Sequence, residues 1–317
     1  MTQRTNLRRW LDAKLPTPRR EAAHGSAEPA SNGSTGGVDR QTLGRLERQL
    51  LFVVGCARSG TTALTRALNR SPELLLLEEP NFFANSGVAD FAAFFNRMHR
   101  DWGTPRMKGT YVRPPVEPEV GPLPMLVRLA EEYRYVGGKI AFGPSDDGYN
   151  WPEAFIEYHA KYFFHARRLV IVRRPAESIW SMHKMFPDRR LPLLFATWLR
   201  SAATCIDAYR VFPGVRWMFF EDLGEEAIGR FAATIPLEIA VPPGMLSRSY
   251  VGSNVGEGEL PPPLAPFAAL CSGCTEIYRE LRDNFCRERL LYNGPRAEWD
   301  FFDGLLGRIS SLLAECG

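Results

Sequence analysis

The sequence predicts an α/β protein with three layers, in which a central parallel sheet is flanked by helices on both faces. Two observations lead to this fold class. Short apolar runs, typical of strands buried on both faces, recur along the chain. Segments with helical spacing of apolar residues separate them, and strands that alternate with helices form parallel sheets. The 317 residues, 45% of them hydrophobic, are enough for one large core.

The alternation can be followed along the chain. Strands are expected at residues 50–54, 74–77, 135–140, 168–173 and 215–220, and helices at 62–68, 151–164, from 175 onwards and at 193–209. Residues 82–128 break this rhythm with a helix at 88–99 and a proline-rich stretch, and we interpret them as a variable segment on the acceptor side of a cleft. Residues 257–317 are expected to form a helical C-terminal part.

The beginning of the chain is predicted to lie outside this fold. Residues 15 to about 40 are rich in Pro, Ser, Gly and Ala, so we expect residues 1–42 to be a disordered basic tail and residues 43–317 to be the folded domain. Residues 1–50 contain nine Lys or Arg and five Asp or Glu, whereas the rest contains 30 and 31. The domain is therefore nearly neutral, which argues against nucleic acid as a partner.

Composition also limits the location and the metal chemistry. No apolar run reaches the roughly 18–20 residues of a membrane-spanning helix, and no apolar segment follows the N-terminal arginines as in a secretory signal. The six cysteines are scattered, which suits a reducing compartment. Cys271 and Cys274 have metal-like spacing, but no second pair follows them within the helical pattern of Leu264–Leu281, so packing is favoured. A cytoplasmic protein is the expectation.

A glycine-rich loop joins the first predicted strand to the next helix. Gly55 and Gly60 have the spacing of the Walker loop, in which backbone N–H groups and the helix dipole hold an anion. Thr61 stands where that loop has its lysine, and Arg58 places a cation inside the loop instead. This pattern predicts a P-loop-like fold that binds an anion with one bridging oxygen to stabilise and has no obligatory magnesium.

The same loop carries a resemblance to a known family. Arg58-Ser59-Gly60-Thr61-Thr62 after a hydrophobic strand resembles the phosphosulfate-binding loop of sulfotransferases that use 3′-phosphoadenosine 5′-phosphosulfate (PAPS). It is most similar to the branch with Arg-Ser-Gly-Thr-Thr. The resemblance implies that Arg58 contacts the sulfuryl group and bridging oxygen, that Gly60, Thr61 and Thr62 bind the 5′-phosphate, and that Ser59 belongs to the same cofactor site.

A second motif follows the fourth predicted strand. Arg173 ends that strand and Ser181 lies eight residues later, as in the 3′-phosphate motif of the same family. An arginine at the carboxyl end of a parallel strand lies where open α/β sheets bind ligands, and its planar fork suits phosphate. The family usually has aspartate after this arginine, whereas this chain has Arg174, whose role stays open.

Weaker similarities lie outside these two motifs. Lys139 follows two glycines on a strand, as does the lysine of the family's Lys-Thr-Pro element, and Phe220–Leu223 resembles a Tyr-Glu-Asp-Leu segment. Gly252–Gly256 corresponds to a loop over the nucleotide, but Glu257 replaces the expected basic residue, for which Arg248 is a candidate substitute.

The catalytic base is implied by the segment Ser71–Phe83. It is similar to the His-Pro-Glu…Pro-Glu-Pro-His-Phe-Phe segment of many family members, whose glutamate is the base. Glu79 matches by register, and Glu78 is the alternative because neighbours on an extended chain point to opposite faces. His159 and His165 are expected to be solvated or to cap a helix, and Trp198 to pack in the core.

The resemblance implies a reaction and a cofactor. A sulfuryl group would pass from PAPS to a hydroxyl, or in second place an amine, of a carbohydrate, lipid or secondary metabolite, leaving adenosine 3′,5′-bisphosphate without the help of a metal. The alternatives are a P-loop kinase or other phosphotransferase, which the missing lysine disfavours, and a nucleotide-binding regulator without turnover. Acceptor identity and oligomeric state are not encoded in any pattern that we recognise.

Overall fold

The computed structural model describes residues 38–80, 82, 121–144, 151–235, 260–285 and 296–317. The predicted tail up to residue 37, the helix at 88–99 and the loop with Arg248 lie outside these residues. In chain order the helices and strands are α1 (Arg40–Gln49), β1 (Leu50–Cys56), α2 (Thr61–Leu68), β2 (Leu74–Glu78), α3 (Pro122–Glu132), β3 (Tyr135–Phe142), α4 (Trp151–Tyr162), β4 (Arg167–Val172), α5 (Pro175–Met185), α6 (Leu191–Val211), β5 (Val215–Phe219), α7 (Glu225–Thr234), α8 (Ala268–Phe285) and α9 (Arg296–Glu315).

All five described strands form one parallel sheet in the order β2-β3-β1-β4-β5. β1 is central and wholly buried, which explains its unbroken apolar run. Register brings the carboxyl ends to one edge: Cys56 pairs with Phe142, and Glu78 pairs with Lys139. The loops after the strands therefore meet along that edge.

Helices cover both faces of the sheet. Leu51 and Val53 of β1 belong to a buried cluster with residues of α2 and α7. Phe52 points the other way and packs against His159 of α4, and α6 also lies against β1 on that face. The predicted three-layer α/β architecture is confirmed. No described helix has the length and apolar character needed to cross a bilayer.

Some boundaries differ from the sequence-based expectations. The first described helix begins at Arg40, three residues before the predicted start of the domain, because the Asp39 carboxylate accepts hydrogen bonds from the N–H groups of Gln41 (2.8 Å) and Thr42 (2.9 Å). Helix α3 was not predicted, because its first turn carries two prolines, which a helix tolerates only there. Cys271 and Cys274 are buried in α8, and burial raises the pKa of the Cys271 thiol to about 11. No cluster of metal-ligating side chains occurs in the described ranges.

His159 corrects one prediction. It is fully buried rather than solvated, because α4 lies on the sheet and turns this position inward. Its ring lies between Phe52 and Phe155, with centroid distances of 4.6 and 4.2 Å, and its Nδ1 is 3.3 Å from Nη2 of the buried Arg168. Burial first, and then the charge of Arg168, hold the pKa of His159 well below its usual value of 6.5.

We expect the free energy of unfolding to fall as pH drops below 6.5. The unfolded chain takes up a proton on His159 in that range and the folded chain does not, so each pH unit costs up to about 1.4 kcal/mol. Above pH 6.5 His159 carries no proton in either state, so this loss of stability is absent. Urea unfolding at a series of pH values measures the slope, and His159→Phe should remove this part of it. An identical slope in wild type and variant would contradict the assignment.

Candidate functional site

The candidate site lies at the carboxyl edge of the sheet, between β1 and β4. The loop after β1 leads to α2 on one face. The loop after β4 leads to α5 on the other face, where Met182 Sδ lies 4.0 Å from Cys56 Sγ. Such a divergence of neighbouring connections opens a crevice, which is the usual ligand position in open α/β sheets.

The loop between β1 and α2 has a special backbone. Arg58 and Gly60 adopt left-handed conformations, with φ of 69° and 95°. The hydroxyl of Ser59 donates to the Cys56 carbonyl at 2.7 Å and so holds the turn from within. No side chain caps the first N–H groups of α2, which leaves them available to an anion at the helix end.

The two sequence motifs meet in this crevice. Arg58 Nε donates to Ser181 Oγ at 3.1 Å, and Arg173 Nη1 donates to the Arg58 carbonyl at 3.2 Å. Ser178, on the same helix as Ser181, donates its hydroxyl to the Ala57 carbonyl at 3.3 Å. The loop after β1 and the segment Arg173–Ser181 are therefore one structural unit, although about 115 residues separate them along the chain.

Arg173 is more enclosed than the sequence suggested. Only 6% of it is exposed, and both Nε and Nη2 donate to Glu177 Oε2, at 3.1 and 2.9 Å. Its guanidinium also stacks on Phe220, 4.3 Å from the ring centroid. The Arg173 carbonyl accepts from the indole N–H of Trp198 at 3.2 Å, so this tryptophan is a core residue, as predicted. Arg173 thus stabilises the loop after β1 through its bond to the Arg58 carbonyl.

Arg58 and Arg174 carry the more accessible positive charges. Burial, followed by the charge of Arg173, lowers the pKa of Arg58, so an anion beside the two guanidinium groups would relieve their repulsion. Arg174 lies 3.7 Å from a Glu177 oxygen, and its backbone N–H donates to Glu221 Oε1 at 2.9 Å. Glu221 also accepts from the Tyr278 hydroxyl of α8. Arg174 and Glu221 therefore tie the turn after β4 to the segment after β5.

A second polar cluster lies at the ends of β2 and β3. The Lys139 ammonium group lies 2.7 Å from Thr62 Oγ1, 2.8 Å from Glu78 Oε2 and 2.7 Å from Glu79 Oε1. Thr62 belongs to the first turn of α2, so this ammonium group joins the predicted anion loop to both candidate bases. The sequence singled out Lys139 by resemblance only and gave it no role.

The two glutamates do not point to opposite faces, which corrects the prediction from extended geometry. Glu79 adopts a left-handed conformation with φ of 50°, which turns its carboxylate back to Lys139. Proline disfavours helical conformations at the residue before it, and positive φ is unfavourable for any residue with a side chain. Glu79, which precedes Pro80, therefore carries backbone strain on the order of 1–3 kcal/mol. Strain of this kind is concentrated at functional sites.

The environments of the two carboxylates differ strongly. The Glu78 side chain is 1% exposed, whereas that of Glu79 is 39% exposed. Burial raises the pKa of Glu78, and the charge of Lys139 opposes this shift. Only Glu79 can reach a ligand from solvent without displacing protein atoms.

Three residues of the site escaped the sequence analysis: Glu177, Phe220 as a stacking partner, and Glu78 as a buried counter-charge. A glutamate four residues after a site arginine is a usable signal here, because Glu177 lies in the first turn of α5, directly after the strand end that carries Arg173. The role of Phe220 has no such signal, since it depends on the adjacency of β4 and β5.

Comparison with known proteins gives limited further information. No family model matches the sequence, and no curated protein matches it. Solved structures of similar fold include a sulfotransferase from Alicyclobacillus acidocaldarius, with a TM-score of 0.42, 17% identity, and coverage of 83% of this chain and 95% of that one. Another is the sulfotransferase domain of the Synechococcus PCC 7002 olefin synthase, with a TM-score of 0.47, 16% identity, and coverage of 84% and 93%. At this distance, residue roles depend on the contacts within this chain.

We expect Gly60→Ala to destabilise the protein and Gly44→Ala to leave it unchanged or stabilise it. A Cβ at Gly60 would lie 2.2 Å from a Phe220 ring carbon, and the left-handed backbone is strained for alanine. Gly44 lies inside α1 with nothing within 4 Å of its Cβ position. The expected changes are losses of about 1–3 kcal/mol at position 60 and gains of up to about 1 kcal/mol at position 44. Denaturant unfolding measures both, and equal stabilities would contradict the loop geometry.

Proposed function

We propose that this protein transfers a sulfuryl group from PAPS to a hydroxyl acceptor and releases adenosine 3′,5′-bisphosphate. The observation that carries the proposal is the contact of Arg58 with Ser181, supported by that of Arg173 with the Arg58 carbonyl. Two motifs that resemble the two phosphate sites of one donor lie against each other at one sheet edge. A donor with phosphates at both ends requires such a pair of sites.

The loop after β1 would hold the phosphosulfate end. The uncapped N–H groups at Thr61 and Thr62 offer hydrogen bonds to the 5′-phosphate, while the Arg58 guanidinium offers charge to the bridging oxygen. Thr61 is 3% exposed, and its backbone N–H is the group that this proposal assigns to the anion. Ser181 and the enclosed Arg173 would receive the 3′-phosphate, with Arg174 beside them.

Glu79 would act as the general base. Its half-exposed carboxylate is connected to the loop through Lys139 and Thr62, which keeps it beside the bound donor. The acceptor oxygen forms a bond to sulfur while the bond from sulfur to the bridging oxygen breaks, and that electron pair stays on the departing phosphate. Glu79 takes the acceptor proton, and Arg58 stabilises the charge on the leaving oxygen.

The phosphotransferase alternative has less support. A Walker lysine brings an unpaired positive charge to the terminal phosphates. Lys139 reaches the loop from β3, but Glu78 and Glu79 both lie within 2.8 Å of its ammonium group and neutralise it. The two carboxylates therefore neutralise the positive charge that a triphosphate would need.

Calorimetry and turnover test the proposal together. Adenosine 3′,5′-bisphosphate should bind without magnesium, and label should pass from sulfur-35 PAPS to members of a panel of carbohydrate, lipid and phenolic acceptors. A preference for Mg-ATP would favour a kinase and sink the proposal. Binding of the bisphosphate with no transfer to any acceptor would favour a regulator.

We expect Glu79→Gln to lower kcat by about 10²–10⁴-fold, because amide cannot take the acceptor proton. Affinity for adenosine 3′,5′-bisphosphate should stay within about twofold, since within the described part of the chain Glu79 is connected to the loop through Lys139. Steady-state kinetics and calorimetry provide the two numbers. A loss of nucleotide affinity as large as the loss of kcat would show that Glu79 is not the base.

Arg58→Ala and Arg173→Ala should differ from each other. Arg58→Ala should abolish turnover, since the charge at the bridging oxygen is lost. Arg173→Ala should weaken binding of the bisphosphate by about 1.5–3 kcal/mol, the usual contribution of a hydrogen bond to a charged group. Calorimetry with the bisphosphate and with adenosine 5′-phosphate separates the sites: the loss in Arg173→Ala should vanish when the 3′-phosphate is absent. An equal loss with both ligands would assign Arg173 to loop support alone.

A further inference from the structure

We propose that Glu78 is a positioning residue for the transfer: it holds the Lys139 ammonium group where that group binds the Glu79 carboxylate and the Thr62 hydroxyl together. This inference rests on the proposed function and deepens it. It also gives the two adjacent glutamates different tasks, one buried and electrostatic, the other exposed and reactive.

The contacts of Lys139 are the first support. An ammonium group has three N–H donors and no acceptor, and three oxygens from different segments lie 2.7–2.8 Å from this one. The approach of Glu78 Oε2 has the distance of an ion pair but not the direction of a hydrogen bond. Glu78 therefore acts on the position and charge of Lys139, as Glu79 does, while the hydrogen bond of this ammonium group goes to Thr62.

The backbone is the second support. Glu79 has a left-handed backbone directly before Pro80. Such a strained conformation persists only where interactions of the surrounding structure compensate for its free-energy cost. Extended geometry would send its carboxylate away from its neighbour's. A Cβ at Gly138 would lie 2.6 Å from the Pro80 ring, so glycine at the position before Lys139 lets this turn pack on β3. Backbone and side chains thus converge on one ammonium group.

The arrangement couples the donor to the base. Thr62 Oγ1 accepts from Lys139, so its own hydrogen is free to donate to a phosphate on the loop. Lys139 and Glu79 face Glu78 from β3 and from the same turn, and the charge of Arg66 reaches it from α2. Removing the charge of Glu78 would leave Lys139 to act on Glu79 alone and make Glu79 a weaker base.

Glu78→Gln tests the inference by separating kcat from KM and by the pH profile. We expect kcat to fall about tenfold or more while the KM for PAPS stays within about twofold. The acidic limb of the kcat profile should move to lower pH, because loss of a neighbouring negative charge favours ionised Glu79. Glu78→Asp keeps the charge and should retain the wild-type limb with an intermediate kcat.

Glu73→Gln is the matched control. Glu73 precedes the same strand at its other end, is 44% exposed and pairs with Arg134 at 3.6 Å, so this substitution should change neither kcat nor the limb. Wild-type kcat and an unmoved limb in Glu78→Gln would overturn the inference. A matching loss of bisphosphate affinity would also overturn it, because Glu78 would then act through the loop. If Glu78→Gln does not fold, a wild-type kcat in Glu78→Asp would overturn the inference instead.

A titration without substrates keeps this inference separate from the proposed function. Carbon-13 NMR of labelled glutamate, with the Glu79 signal assigned by its loss in Glu79→Gln, measures the Glu79 pKa in wild type and in Glu78→Gln. A lower Glu79 pKa in the variant supports the coupling, and equal values overturn it. Absence of PAPS turnover in wild type would instead refute the proposed function. The NMR titration would still decide whether Glu78 acts on Glu79.

Discussion

The ammonium group of Lys139 is the interaction on which the polar side of the site depends. It contacts oxygens of β2, of the residue after β2, and of α2, while its own strand lies between β1 and β2. The strands of the sheet are rigid, and this one cation holds the first turn of α2 and the Glu79 carboxylate at a fixed distance from each other. Its side chain is only 4% exposed, so water does not weaken these contacts.

The other half of the site is held by hydrogen bonds to backbone carbonyls. Arg173 and Ser178 donate to carbonyls of the loop after β1, and Trp198 donates to the carbonyl of Arg173. Each of these bonds joins segments that are remote in sequence. The crevice between β1 and β4 is therefore built from two loops that hold each other in place, which suits preorganised binding of an anion.

The fold class and its strands could be predicted from sequence, because burial on both faces leaves apolar runs at residues 50–54 of β1 and 169–172 of β4. Arg58, Arg173 and Ser181 could be assigned to one site because parallel strands all end at the same edge of the sheet, where β1 and β4 are neighbours. The paired orientation of Glu78 and Glu79 could not, because it depends on one left-handed residue. His159 was misassigned because its burial follows from how α4 lies on β1, and α3 was missed because its opening prolines resemble a loop.

Phe220 lies between the loop after β1 and the segment after β4, so the size of its ring affects the distance between them. One part of its ring fills the space beside Gly60, and its face supports the Arg173 guanidinium. The aromatic ring thus lies between Gly60 of the loop after β1 and Arg173 at the end of β4. In the proposed function, the distance between the two phosphates of the donor would be set by the width of the side chain that follows β5, although that side chain needs no contact with the ligand.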